Sequence, residues 1–227
     1  MATVDEVMRE LHSIARPDQL GGMARYGITV DRALGGIPVP YLRSMAKRLR
    51  PDHSLALALW RTGVHEARIL ASMVDDPARV TERQMESWAR AFDSWDVCDQ
   101  VCMNLFDRTP FAWAKAEAWT TRDEDFVKRA GFALIASLAA HAKAEPDERF
   151  AALLPVVEAA ATDGRNFVKK AVSWALRQIG KRNAALHPEA VAVAERLAGS
   201  PSTAARWVGR DALRELRSDA VMARLAR

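Results

Sequence analysis

FVKRA at residues 126–130 returns as FVKKA at 167–171, 41 residues later, and ALRQI at 175–179 returns as ALREL at 212–216, 37 residues later. Between and around these repeats the chain is rich in Ala, Leu, Arg and Glu, and its apolar residues recur at helical spacing in most windows. Strand patterns are almost absent. Breaks fall at Pro17, GGIPVP (35–40), RPDHS (50–54), DDP (75–77) and Pro110. Later breaks fall at EPDE (145–148), TDGR (162–165), HPE (187–189) and GSPS (199–202). They leave segments of roughly 10–20 residues, the length of ordinary globular helices. Helix pairs recurring about every 40 residues are the mark of HEAT-like solenoids, in which each unit buries its apolar face on the next. The expected fold is all-α, a HEAT-like helical-repeat solenoid with a concave basic face. No linker rich in Gly, Pro or Ser interrupts it, so residues 1–227 read as one domain.

Composition narrows the function classes. The chain of 227 residues is 49% hydrophobic and 27% charged, as soluble folded proteins are. No apolar run reaches the length of about 18 residues that a membrane span needs. MATVDEVMRELHSIAR at the start reads as an amphipathic helix without an apolar leader segment. Cys98 and Cys102 are the only cysteines, which suits two reduced, buried thiols in a cytoplasmic, nucleoid-associated protein. Two cysteines without neighbouring histidines make a poor metal site, and His65-Glu66 lacks the second histidine of a zinc-protease motif. The residues therefore call for no metal and no cofactor. Charge is uneven: residues 1–120 carry 15 Lys/Arg against 16 Asp/Glu, and residues 121–227 carry 18 against 13. A basic half suits a polyanion such as nucleic acid, and equally a solvated basic face.

FDSWDVCDQVC (92–102) is the unusual stretch. It sets Trp95 and Asp99 one helical turn apart, with Asp93 and Asp96 beside them. The 41-residue repeat makes Arg129 the counterpart of Lys170, and Trp174 lies one turn beyond Lys170. Two indoles, a carboxylate and a guanidinium converging on one face would bind a cation, an indole contributing about 0.5–2 kcal/mol. Lys128, Lys169, Lys170, Arg177, Lys181, Arg182, Arg206, Arg210 and Arg214 would hold phosphates around it. Alkylated DNA combines both charges, because methylation at N3 or N7 makes a purine cationic. Core packing of the tryptophans, an Asp99–Arg129 ion pair or a helix cap accounts for the same residues, and on the residues alone packing is the simpler account.

Larger stretches add to this. MARYGI (23–28), GIPVPYLR (36–43), SWDVCDQV (94–101), FVKRAGFAL (126–134) and NFVKKAVSWALRQIGK (166–181) together resemble the bacterial AlkD-type DNA alkylation repair glycosylases, over nearly the whole chain. The resemblance implies Asp99 as the catalytic carboxylate, Trp95 and Trp174 as cage tryptophans and Arg129 as the arginine beside them. It implies DNA-backbone contacts at Tyr26, Arg43, Arg177 and Lys181. The implied partner is duplex DNA containing alkylated purines, bound by a monomer that grips the backbone without needing a base pocket. Ser94 stands where some members carry a second tryptophan, and Pro38 and Val39 replace polar residues. These departures spare the catalytic set and bear on lesion range and backbone affinity.

Overall fold

Helices and two single 3-10 turns make up the regular structure of residues 2–226, which the computed structural model describes; no strand forms among them. One compact unit ends at Phe111 and a second begins at Ala112. The first holds α1 (Val4–Ile14), α2 (Leu20–Arg25), α3 (Val39–Leu49), α4 (His53–Arg61), α5 (His65–Val74), α6 (Glu82–Arg90) and α7 (Trp95–Asn104). The second holds α8 (Ala112–Trp119), α9 (Asp125–His141), α10 (Asp147–Ala151), α11 (Leu154–Ala160), α12 (Asn166–Gly180), α13 (Leu186–Ala198), α14 (Thr203–Leu216) and α15 (Asp219–Leu225).

Within each unit alternate helices stack as a ladder. In the first, α5 packs against α3 and α7 and pairs with α4; in the second, α12 packs against α9 and α14, while α8 backs α9 and α13 backs α14. The repeat motifs open the rungs. Phe126 and Phe167 are the second residues of α9 and α12, and their rings meet with centroids 5.3 Å apart. In the first unit Trp60 of α4 and Trp88 of α6 stack at 4.0 Å, nearly parallel, and Phe92 meets Trp60 edge-on. Three of the seven tryptophans (Trp60, Trp88 and Trp119) are buried; Trp95, Trp113 and Trp174 are partly exposed and Trp207 more so.

Local chemistry sets the helix ends. Thr3 and Glu6 form a reciprocal capping box on α1, and Asp52, Thr81, Ser202 and Ser218 cap α4, α6, α14 and α15. One expected break is displaced. His187, Pro188 and Glu189 lie inside the first turn of α13, because a first-turn proline loses no intrahelical hydrogen bond. The break comes earlier, where Asn183 accepts from the amides of Ala185 and Leu186.

Glycine decides how close α13 and α14 come. A Cβ on Gly209 would lie 2.4 Å from the amide nitrogen of Ala198 and 2.5 Å from the carbonyl oxygen of Ala194. Gly209→Val should therefore push two backbones apart, costing about 1–3 kcal/mol and lowering Tm by roughly 2–12 °C. Gly164→Val, where nothing lies within 4 Å, should shift Tm by less than about 2 °C. Paired thermal melts followed by circular dichroism check the contrast.

Candidate functional site

Helix α7 has two sides. Val97, Cys98, Val101 and Cys102 are sealed against the core, and burial raises the Cys102 thiol well above its ordinary pKa. Trp95, Asp96, Asp99 and Gln100 lie on the partly exposed side. The Trp95/Asp99 pair therefore stands off the core stripe. Trp95, the first residue of the helix, donates its indole N–H to the carbonyl of Tyr26 at 2.9 Å. Tyr26 ends α2, and its own side chain is 76% exposed.

The acidic residues around this pair have partners that sequence reasoning left unassigned. Asp96 Oδ2 meets His65 Nε2 at 2.9 Å, and Asp93 accepts from Arg68 at 2.9 Å. Glu66, beside His65, accepts from the amides of Leu34 and Gly35 at 2.9 and 2.8 Å, tying down the glycine loop before α3. Gly35 and Gly36 have positive φ and abut Arg16, so only glycine suits that turn. Burial lowers the His65 pKa, but the hydrogen bond and charge of Asp96, with the charges of Glu66 and Asp93, outweigh it and raise the value. Burial raises the Asp96 pKa, and His65 reverses that to hold the carboxyl below its usual range. The partners lie 31 residues apart, and nothing in VHEAR announces the contact.

In the second unit Arg129 is buried, 6% exposed, and donates Nη1–H to the carbonyl of Phe167 at 2.7 Å. Phe167, Lys170 and Trp174 form one stripe of α12 at positions i, i+3 and i+7. Arg129 thus reaches the start of the stripe that carries Trp174 two turns on. Its repeat counterpart Lys170 is exposed.

The expected phosphate contacts divide in two. Arg43, Lys170 and Arg210 are exposed and make no ion pair or side-chain hydrogen bond among the described residues. The others are engaged. Lys128 pairs with Asp163 at 3.0 Å, and Asp163 is held strongly ionised by Arg165 as well. Arg177 and Lys181 both bind Glu215, Arg177 also lies 3.7 Å from Asp211, and Ser173 donates to Asp211 at 2.6 Å. Arg182 serves Asp147 and the carbonyls of Ala139, Lys143 and Glu145. Arg206 folds back on the carbonyls of Ser200 and Pro201. Lys169 sits over the Trp207 ring, 5.1 Å from its centroid. Among the described residues no group of three or more His, Cys, Asp or Glu is placed to hold a metal ion, and no helix is long and apolar enough to cross a membrane.

The model of a family described as DNA alkylation repair enzyme matches residues 7–216. Similar proteins include uncharacterized protein Lmo0209 of Listeria monocytogenes and uncharacterized protein Lin0241 of Listeria innocua. Each is 24% identical over 135 residues, which cover 58% of this chain and 60% of the relative. The matched part of the chain thus spans about 60% of the length of these relatives. A solved structure superposes with a TM-score of 0.76 at 19% identity, covering 86% of this chain and 83% of that one. It is described as a new family of proteins related to the HEAT-like repeat DNA glycosylases with affinity for branched DNA structures. The likeness shows the fold: all-α and HEAT-like.

The His65–Asp96 contact makes stability depend on pH from both sides. Asp96, with its pKa lowered, contributes fully above the unfolded value of about 3.9 and loses that contribution as acid protonates it. His65, with its pKa raised, contributes fully below about pH 6.5 and loses that contribution as pH climbs through its folded value. Asp96→Asn should cost about 1.5–3 kcal/mol near pH 5.5 and less above neutrality. Thermal melts from about pH 5 to pH 9 should show the wild-type advantage shrinking; a constant difference would remove the charge pair from the account.

Proposed function

The chain belongs to the family of DNA alkylation repair enzymes, and from that premise we propose that it is a DNA glycosylase excising cationic N3- and N7-alkylated purines from duplex DNA. The observation that carries this reading is the placement of Trp95 and Asp99 on the partly exposed side of α7, one turn apart, while the helix spends its cysteines and valines on the core. Residues 1–227 act as one DNA-binding domain and as a monomer in the cytoplasm, on the nucleoid.

An alkylated purine already carries the charge that a general acid would otherwise supply. The bond from C1′ to the base nitrogen breaks with its electron pair going to the base, which leaves neutral. Positive charge develops on the deoxyribose, and Asp99 opposes it while orienting the water that attacks C1′ and taking the proton that water loses. Trp95 and Trp174 contact the sugar and backbone at the lesion, where charge–aromatic attraction grows in the transition state. Arg129, buried on α9 and bound to the Phe167 carbonyl, adds a permanent positive charge behind the α12 stripe that carries Trp174. Each 2.7 kcal/mol or so of such differential stabilisation is worth about a hundredfold in rate. Arg43, Lys170 and Arg210 hold phosphates with their unpaired charges, and exposed Tyr26 contacts the DNA backbone; Lys128, Lys169, Arg177, Lys181 and Arg206 add positive charge from their engaged positions. Recognition through charge and backbone leaves bulky adducts acceptable and neutral lesions poor substrates.

A second reading, a non-catalytic module for distorted or branched DNA, is favoured by the described affinity of the solved neighbour for branched DNA. Excision of 7-methylguanine and 3-methyladenine from duplex DNA separates the two. Wild type should release both bases, and Asp99→Asn should slow release at least about a hundredfold while keeping its binding to undamaged duplex. Release by the variant at the wild-type rate would remove Asp99 from the chemistry. Binding of branched DNA by wild type with no release of either base would establish the second reading. Binding should weaken with salt by a log–log slope of about −0.9 per phosphate contact, which a protein–protein scaffold would not show.

A further inference from the structure

Trp207 is more exposed than any other tryptophan in the chain. It lies on α14 in a shallow groove of about 360 Å³ with Thr203, Arg206, Arg210, Asp211 and Arg214. The repeat register explains its direction. Residues 129, 170 and 207 are equivalent in α9, α12 and α14, so the ladder face that presents Arg129 and then Lys170 ends in an indole. Arg210 and Arg214 follow at i+3 and i+7 on the same stripe, roughly 4.5 and 10.5 Å further along the helix axis. The groove is positive. Its one carboxylate, Asp211, already binds Ser173 and Arg214, whereas Arg210 has no ion pair or side-chain hydrogen bond among the described residues. Lys169 adds a further positive charge over the indole.

We propose that this face of α14 binds a single-stranded segment of DNA, one unstacked base lying on Trp207 and the neighbouring phosphates on Arg210 and Arg214. Cations alone would serve a duplex, whose bases keep their faces covered. An indole face set among cations offers an unpaired strand a stacking platform for a base beside a charged track, and the bases inside an intact duplex have no free face to stack on it. The inference rests on the reading of the protein as a DNA-binding enzyme and extends it to lesions beside a branch, a gap or a frayed end.

Fluorescence anisotropy with labelled oligonucleotides tests it, using a single strand of about 12 nucleotides, the same strand with abasic sites throughout, and a blunt duplex. Trp207→Ala should weaken binding of the normal strand by about five- to 150-fold, the range that base–aromatic stacking supplies. Trp207→Phe should recover most of that loss. On the abasic strand wild type and Trp207→Ala should bind alike, which a purely structural or electrostatic role for Trp207 would not produce. Duplex binding and excision of 7-methylguanine should stay at wild-type levels in both variants. Equal single-strand affinity of wild type and Trp207→Ala, or no single-strand binding by wild type, would overturn the inference even where excision is intact. Single-strand binding that depends on Trp207, in a protein that excises nothing, would support the inference while the glycosylase reading alone fails.

Discussion

A guanidinium placed in a helical core has to find acceptors there, and the position of α12 against α9 follows from that demand. Arg129 cannot lose its charge, and five N–H donors without water or acceptors would cost more than the helix contact gains. Its bond to the Phe167 carbonyl places an acceptor of the first turn of α12 opposite the second turn of α9. The Phe126–Phe167 contact holds the same ends together from the apolar side. With those two contacts made, Trp174 and Arg177 have fixed stations along the ladder, and α14 can meet α12 through Ser173, Arg177 and Lys181 facing Asp211 and Glu215.

That second set of contacts means that a count of basic residues overstates what a phosphate would meet. Many of the basic side chains after residue 120 hold helices to one another and to their loops. Burial raises the pKa of Glu215, but Lys181 and Arg177 outweigh it and keep the carboxylate ionised, so the bridge persists as a unit. Of the cations expected to meet phosphates, those without an ion pair or side-chain hydrogen bond among the described residues occur in both units: Arg43 on α3, Lys170 on α12 and Arg210 on α14.

The FVKRA repeat told of α9 and α12 because a helix that must bury the same stripe on each neighbour has to repeat the residues that do so. The Trp95/Asp99 pair was legible for the opposite reason: carboxylates and an indole are out of place in an apolar stripe, and α7 does turn them away from its core. What could not be read were the pairings between rungs. His65 and Asp96, Glu66 and the Leu34–Gly35 amides, and Arg177 and Glu215 are each joined across more than 30 residues. Their spacing depends on loop lengths that carry no local signal. Pro188 misled because a proline ends a helix from within but is welcome in its first turn.

The breadth of burial on α9 bears on the order in which the protein can be made. Every residue from Val127 to Ala139 except Lys128 is buried, so this helix has scarcely any side left for water. Part of that cover comes from α8, already synthesised, but the larger share comes from α12, whose start lies 41 residues later. At translation rates of about 5–20 residues per second, α9 waits roughly 2–8 s with an oily flank uncovered. For that interval the nascent chain carries an apolar helix face that its own later helices have yet to cover.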